Sequence, residues 1–337
     1  MIKRREFMKG VAAIFSMVFS GCLGKSDIFG HIEEKNISIK EVIPLKKSMS
    51  KVFLIKTDDR ESGIKELLKY FDIESLSGKR VVLKANYNSQ DPFPASTHID
   101  TFGTLVDALQ EKGANLVLAE RSGTGDTRKT LKEAGVLELA NKKGVDVVIL
   151  DELKSSDWIR IKPDLTNWRN GFLFAKVFEG ADAIVQTCCL KTHMYGGHFT
   201  MSLKNSVGMV AKDDMSELHS SSYQRQMIAE INTAYEPEFI IMDGIKGFSK
   251  GGPGRGTLIE PGIIIASRDR VATDAVGVAV LRIYGTTTEV SKGNIFEQEQ
   301  IARAVELGLG VSKPNEIEII PVNTQAQDIC SKIKNEL

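Results

Sequence analysis

From Lys51 onward the apolar residues come in two alternating rhythms. Short runs rich in β-branched residues, KVFLIKT (51–57), KRVVLKANYN (79–88), ANLVLAERSG (114–123) and VDVVILDE (145–152), predict strands. Between them SGIKELLKYF (62–71), TFGTLVDALQEKG (101–113) and TRKTLKEAGVLELANKKG (127–144) repeat apolar residues at helical spacing. After Glu152 the rhythm loosens. DWIRIKP (157–163) and GFLFAKVF (171–178) predict shorter strands, as a hairpin or an extension, and ADAIVQTCCL (181–190) a core strand. A helical region over 216–235, the strands EFIIMDG (238–244) and PGIIIASRD (261–269), the helices RVATDAVGVAVLRIYG (270–285) and NIFEQEQIARAVELGLG (294–310), and a last strand NEIEIIPV (315–322) follow. The pattern predicts an α/β fold: a layered, largely parallel sheet with helices on both faces. The domain spans 51–322 as one compact unit, with room for two lobes meeting near residue 175, and a C-terminal helix covers 323–337.

The first fifty residues follow neither rhythm. Lys3, Arg4, Arg5 and Lys9 precede an apolar run from Val11 to Phe19, then Ser20-Gly21-Cys22. A charged head, a short apolar core and small residues before a cut predict a signal peptide over 1–21, too short to span a bilayer comfortably. RREFMK resembles the twin-arginine signal, and FSGC resembles a lipobox in which Cys22 is acylated. The expectation is an extracytoplasmic protein of a bacterial cell envelope, anchored to the membrane through lipidated Cys22. Residues 22–50 lack a sustained period and are read as a tether.

The 337 residues bury a core without difficulty. Lys plus Arg and Asp plus Glu stand at 44 each, with no basic stripe, so nucleic acid is not an expected partner. Removing 1–21 leaves 40 basic and 43 acidic residues, so an acyl chain rather than lipid charge would be the anchor. Cys188, Cys189 and Cys330 show no Cys-x-x-Cys spacing. Neighbouring strand cysteines face opposite sides of a sheet, so Cys188 and Cys189 are read as buried small hydrophobes, with a ligand or redox role for Cys189 left open.

Candidate chemistry gathers where strands end, because ligands of open α/β sheets sit beyond the carboxyl ends of the strands. Lys84 and Asn86 share a face as one strand ends. Another ends on Glu120, another on Lys191 and His193, and another on Asp243. Each alone has an ordinary explanation in solvation or turn formation. Together, four strands end in groups of complementary charge. The loop SGTGDT (122–127) offers backbone N–H groups to an anion, although its third glycine position holds Arg128, which weakens a dinucleotide reading. GGPGRGT (251–257) is not a Walker loop; it reads as a glycine-rich flap whose Arg255 can reach a carboxylate or phosphate.

The stretch CCLKTHMYGGHFTMSLKN (188–205) concentrates these features. Gly196-Gly197 permits a sharp turn, and Thr200 can cap a short helix carrying Lys204 and Asn205. That helix start favours an anion, which Lys191, His193 and Lys204 would surround. As a zinc site the stretch is poor, since His193 and His198 are five apart across glycines and no HExxH exists. A divalent metal held by mixed His and carboxylate ligands stays open, its identity unknown. Asp269 is read as a helix N-cap, and Asp274, set among Ala, Val and Gly, as a buried acid in need of a partner such as a lysine.

VVLKANYN, LVLAERSGTGDTRKTLKEAG, ADAIVQTCCLKTH, SLKNSVGM, the His219 region, FIIMDGIKGFSKGGPGRGT, IIASRDRVATDAVG and IARAVELGLGV together resemble the family catalogued as domain of unknown function 362, over about 50–320. The resemblance implies a fold and a site but no reaction. Many relatives carry cysteine clusters for iron–sulfur centres; this chain has no such motif, and it has Cys189 where the family often has Pro. More distantly, the strand–Lys/His–glycine–Lys stretch resembles the lactate racemase family, whose site holds a nickel-pincer cofactor; only His193 and Lys204 would match it. The sequence thus leads to an anionic small molecule, carboxylate or phosphate, bound by Lys84, Asn86, Lys191, Lys204, Asn205, Arg255 and Asp274. His193 would be the acid–base group, with Glu120 and Asp243 orienting it or holding a metal. A non-catalytic binding or cofactor-maturation lipoprotein using the same pocket is the alternative.

Overall fold

The computed structural model describes residues 32–38 and 49–337. The twin-arginine signal and Cys22 lie outside the described residues. Thirteen strands are present among those described: β1 (Glu33–Ile37), β2 (Ser50–Lys56), β3 (Arg80–Lys84), β4 (Asn115–Glu120), β5 (Asp146–Ile149), β6 (Trp158–Pro163), β7 (Phe172–Ala175), β8 (Ala183–His193), β9 (His198–Phe199), β10 (Phe239–Gly251), β11 (Gly256–Ile259), β12 (Ile263–Ser267) and β13 (Ile317–Pro321). The main sheet runs β13-β2-β12-β10-β8-β3-β4-β5, with β11 paired to β10 and β9 to β8. Along that path only β12 runs against the others. Strands before and after residue 175 interleave in it, β8 lying directly beside β3.

Period-two alternation in β8 and β10 sends successive side chains to opposite faces. Cys188, Leu190, Ile240 and Met242 pack on one face against the helix Arg270–Ile283. Val185, Ile241 and Ala266 pack on the other with residues of the helices Arg60–Leu68 and Ile99–Glu111. In Arg270–Ile283 the side chains of Val271, Val276, Val280 and Leu281 are fully buried, each worth about 1.5–3 kcal/mol of transfer free energy. Asp269 caps this helix as the sequence leads one to expect, accepting from the N–H groups of Val271 and Ala272.

Two helical runs are shorter than their periodicity suggests. The run 127–144 splits into Thr127–Glu133 and Val136–Lys142, because Gly135 takes a left-handed conformation (φ +73°) between them. The region 216–235 likewise divides into Met215–Ser220 and Gln224–Ile231.

The tether expectation for 22–50 is corrected in its described part. Residues Glu33–Ile37 form β1, the parallel edge of a small sheet ordered β1-β6-β7. Main-chain pairing and the exposed ion pairs Lys35–Glu179, Glu34–Lys162 and Glu33–Lys176 hold it. Side chains so exposed need no apolar period, which is why the sequence pattern did not mark this strand. The small sheet packs Ile159, Phe172 and Phe174 against Val82, Val117 and Ile184 of the main sheet.

Candidate functional site

Because β3, β4, β8 and β10 are parallel, their carboxyl ends lie along one rim, and a cavity of about 370 Å³ opens there. Lys84 and Glu120 form its floor. The Lys84 ammonium donates to Glu120 Oε1 at 2.7 Å, to the Ala85 carbonyl at 2.5 Å and to Asn205 Oδ1 at 3.4 Å. Both partners are buried, and Glu120 Oε2 also accepts from the Arg121 N–H. Burial pushes the Glu120 carboxyl up and the Lys84 ammonium down, while each partner's charge resists the shift in the other. A Cβ on Gly208 would come within 2.9 Å of Lys84 Nζ, so glycine is what lets the lysine lie against that backbone.

β8 supplies Lys191 and His193. The Lys191 ammonium donates to the Ala95 carbonyl, and burial lowers its pKa. His193 Nδ1 is buried without a hydrogen-bond partner. Burial first, then Lys204 and Lys191, push the imidazole down to about 2, so the ring is neutral. After the 196–197 turn comes the helix Ser202–Asn205, which carries Lys204 and Asn205 into the cavity. Burial first, then Arg121 and Lys191, lower Lys204 to about 8. Gly197 allows close packing here: a Cβ would lie 3.0 Å from both His193 Nδ1 and Lys204 Cε.

Of the expected site residues, Lys84, Asn86, Glu120, Lys191, His193, Lys204 and Asn205 line this cavity. Asn86 donates to the Ala95 carbonyl and approaches Cys189 Sγ at 3.7 Å. Three do not join them, and here the expectation is corrected. Asp243 lies inside β10, which continues to Gly251, and it is not among the residues lining the cavity. It pairs with Arg60 at 2.8 Å and accepts from the Thr101 hydroxyl. Among the described residues Asp274 pairs with no lysine. Its carboxylate accepts from the N–H groups of Ser202 and Leu203, at 2.8 and 3.1 Å. Arg255 is exposed at the β10–β11 hairpin, and only Pro253 of that loop reaches the cavity.

The two expected backbone anion sites are also already filled. In the 122–127 loop, Ser122 N–H donates to the Thr127 hydroxyl, and the Gly123 and Thr124 N–H groups donate to the Asn88 carbonyl. Asp126 then caps the helix itself. At the Lys204 helix the residue before the first turn is Met201 rather than a capping Thr200. The anion at that helix start is Asp274's own carboxylate, which fixes the helix and so positions Lys204.

Sequence reasoning missed several lining residues: Tyr87, Arg121, Tyr195, Met215 and His219. Arg121 directly follows the strand-end Glu120, a usable signal. Its guanidinium donates to the carbonyls of Ser122 and Val207, leaving Nε without a partner, as is the buried Tyr87 hydroxyl. His219, whose Nδ1 lies 2.9 Å from Gln224 Nε2, arrives from a separate helix, and the sequence marked its region only through the family resemblance. Among the described residues no group of three or more His, Cys, Asp or Glu side chains is disposed to hold a metal ion. Four cationic side chains and one carboxylate make a donor-rich lining suited to an anion rather than a cation.

Fold and site thus define an α/β protein with a cationic cavity at the carboxyl ends of its central strands. The chain belongs to the family described as Domain of unknown function (DUF362), whose model matches residues 81–279, more than half of the chain. It is 24% identical over 252 residues to Thylakoid-associated protein sll1697 of Synechocystis sp., covering 72% of this chain and 75% of that one. Among solved structures it resembles the lactate racemase apoprotein from Thermoanaerobacterium thermosaccharolyticum, at 18% identity and a TM-score of 0.42. That likeness covers 58% of this chain and only half of the racemase.

Proposed function

We propose that this is an exported, lipid-anchored protein that binds an anionic small molecule, a carboxylate or phosphate, in the cavity at the strand ends. The observation that carries the reading is an imbalance of charge. Glu120 is committed to Lys84, Asp243 to Arg60 and Asp274 to backbone N–H groups. Lys191 and Lys204 therefore line the cavity with no carboxylate at ion-pair distance among the described residues, the Asp91 charge acting on Lys191 only from further off. Burying two ammonium groups around one cavity is costly unless an anion joins them. Tyr87 Oη and Arg121 Nε add further donors without partners.

In a catalytic cycle His193 Nδ1 would exchange a proton with the bound molecule, while Lys191 and Lys204 hold its negative charge. A second reading, binding without turnover, draws on the same histidine: an imidazole held near 2 is a weak base. Membrane attachment rests on the twin arginines and Cys22, together with the thylakoid association in the relative's name. No helix among the described residues is long and apolar enough to cross a membrane; in this reading the acyl chain on Cys22 is the anchor. Native mass spectrometry of protein purified from its own host tests the reading. It should show a small anion that is lost at high salt. Protein that is ligand-free and stays so on adding phosphates and carboxylates would overturn it. Turnover of the anion once identified separates the catalytic form from the second reading.

A further inference from the structure

We propose that Lys204 forms an imine with a small molecule carrying both a carbonyl and an anionic group, of which the 2-oxo acids are the simplest. The inference rests on the anion-binding reading above and names the chemistry of the ligand. The cavity's other two lysines are engaged, Lys84 with Glu120, Ala85 and Asn205, and Lys191 with the Ala95 carbonyl. Lys204 makes no side-chain hydrogen bond or ion pair among the described residues, although it is buried and lines the cavity. Its helix is too short to hold its own shape, and Asp274 fixes it in place.

An amine that attacks a carbonyl needs its lone pair free, and a desolvated lysine beside other cations is driven toward that form. Here the depressing cations are Arg121 and Lys191. They are also the groups placed to hold a carboxylate, which in a 2-oxo acid lies one bond from the carbon under attack. One pair of cations thus serves both to bind the substrate and to activate the nucleophile.

The step balances without oxidant or reductant. The Nζ lone pair forms a C–N bond to the carbonyl carbon while the C=O π pair moves to oxygen. The nitrogen then releases a proton, which the neutral His193 imidazole can pass to that oxygen; its Nδ1 and Lys204 Cε abut the same glycine, Gly197. One further proton from solvent lets the oxygen leave as water, giving the iminium. Overall, ammonium plus carbonyl yields iminium plus water.

The test is reductive trapping. Purified protein is incubated with pyruvate and sodium cyanoborohydride, and the labelled lysines are located by peptide mapping. A lysine lowered from 10.5 to about 8 would carry roughly 300-fold more free amine at neutral pH than an ordinary one. Labelling of Lys204 should therefore outrun that of the exposed Lys69 by about 10- to 100-fold, and inorganic phosphate should slow it. Lys204 labelling no faster than Lys69, or insensitive to phosphate, would overturn the proposal. Calorimetric titration with phosphate alongside separates the two ideas: phosphate binding without preferential labelling sinks the imine alone, and absence of both sinks the anion reading with it. Lys204→Arg, checked for folding by circular dichroism, should keep part of its phosphate binding and lose the adduct. The wild-type labelling map decides the matter should that variant fail to fold.

Discussion

Replacing Glu120 by Gln would test whether the floor of the cavity is a buried ion pair holding the site together. Lys84 and Glu120 meet at 2.7 Å with side chains 2% and 0% exposed. Removing one charge from such a pair leaves the other buried, at a cost of typically 3–5 kcal/mol. Gln keeps the shape, but its one carbonyl oxygen can accept from Lys84 or from the Arg121 N–H and not both, and its amide nitrogen then faces the other donor. Lys84 also retains the Ala85 carbonyl and Asn205. With one acceptor lost and these others kept, the loss should fall within that range, about 3–5 kcal/mol. That is a large share of the roughly 5–15 kcal/mol available to a folded protein, but not all of it. Trp158 and Trp168, both buried, give a fluorescence signal for urea unfolding, and the expected result is a lower midpoint at unchanged slope. The double variant Lys84→Met/Glu120→Leu should recover most of the loss, since apolar residues can replace a buried pair at little cost. Meanwhile Glu120→Gln, with the cavity's one carboxylate neutralised, should bind phosphate more tightly than wild type although it is less stable. A stability change under about 0.5 kcal/mol, the ordinary scatter of surface substitutions, would refute the pair's role.

Three further outcomes can be checked. His193 is held near 2 in the fold against 6.5 in its absence, so its contribution to stability is present above about 6.5 and is lost as pH falls below it, at about 1.4 kcal/mol per pH unit. His193→Gln should flatten the acid limb of the urea-midpoint profile between roughly pH 6.5 and 4, and an unchanged limb would show the imidazole to be solvated. Gly197→Ala places a methyl 3.0 Å from His193 Nδ1 and Lys204 Cε; it should cost about 1–3 kcal/mol of stability and weaken phosphate binding roughly tenfold or more by displacing both groups. Cys22→Ser should abolish labelling by a fatty-acid probe in the native host, and label persisting in that variant would end the lipoprotein assignment.

What the sequence made legible follows from which signals are local. A charged residue closing an apolar run marks a strand end at Lys84 and Glu120, whereas β8 and β10 continue past Lys191 and Asp243 to His193 and Gly251. Which partners a strand residue meets is a tertiary fact, so the sequence grouped Asp243 with the cavity residues although Arg60 and Thr101 claim its carboxylate. Asp274 was recognisable as a buried acid needing partners, but they are the Ser202 and Leu203 N–H groups, 72 and 71 residues away. Those donors become free only once the Lys204 helix has formed. The 122–127 loop has a composition that suits an anion, yet its N–H groups are spent on Asn88 and Thr127. Such bookkeeping is invisible until the neighbouring loop is in place. His219 and Tyr87 reach the cavity by packing alone.

The most direct measurement is a calorimetric titration of phosphate and small carboxylates against wild type and Lys204→Ala, with circular dichroism to confirm that both are folded. Losing one charge-assisted contact from a buried site costs about 1.5–3 kcal/mol, so affinity should fall roughly 10- to 100-fold. Lys204→Arg should restore only part of it, because a planar fork replaces a compact ammonium. Equal affinities in two folded proteins would mean that Lys204 is a solvated helix residue and that the cationic cavity is architecture rather than a binding site.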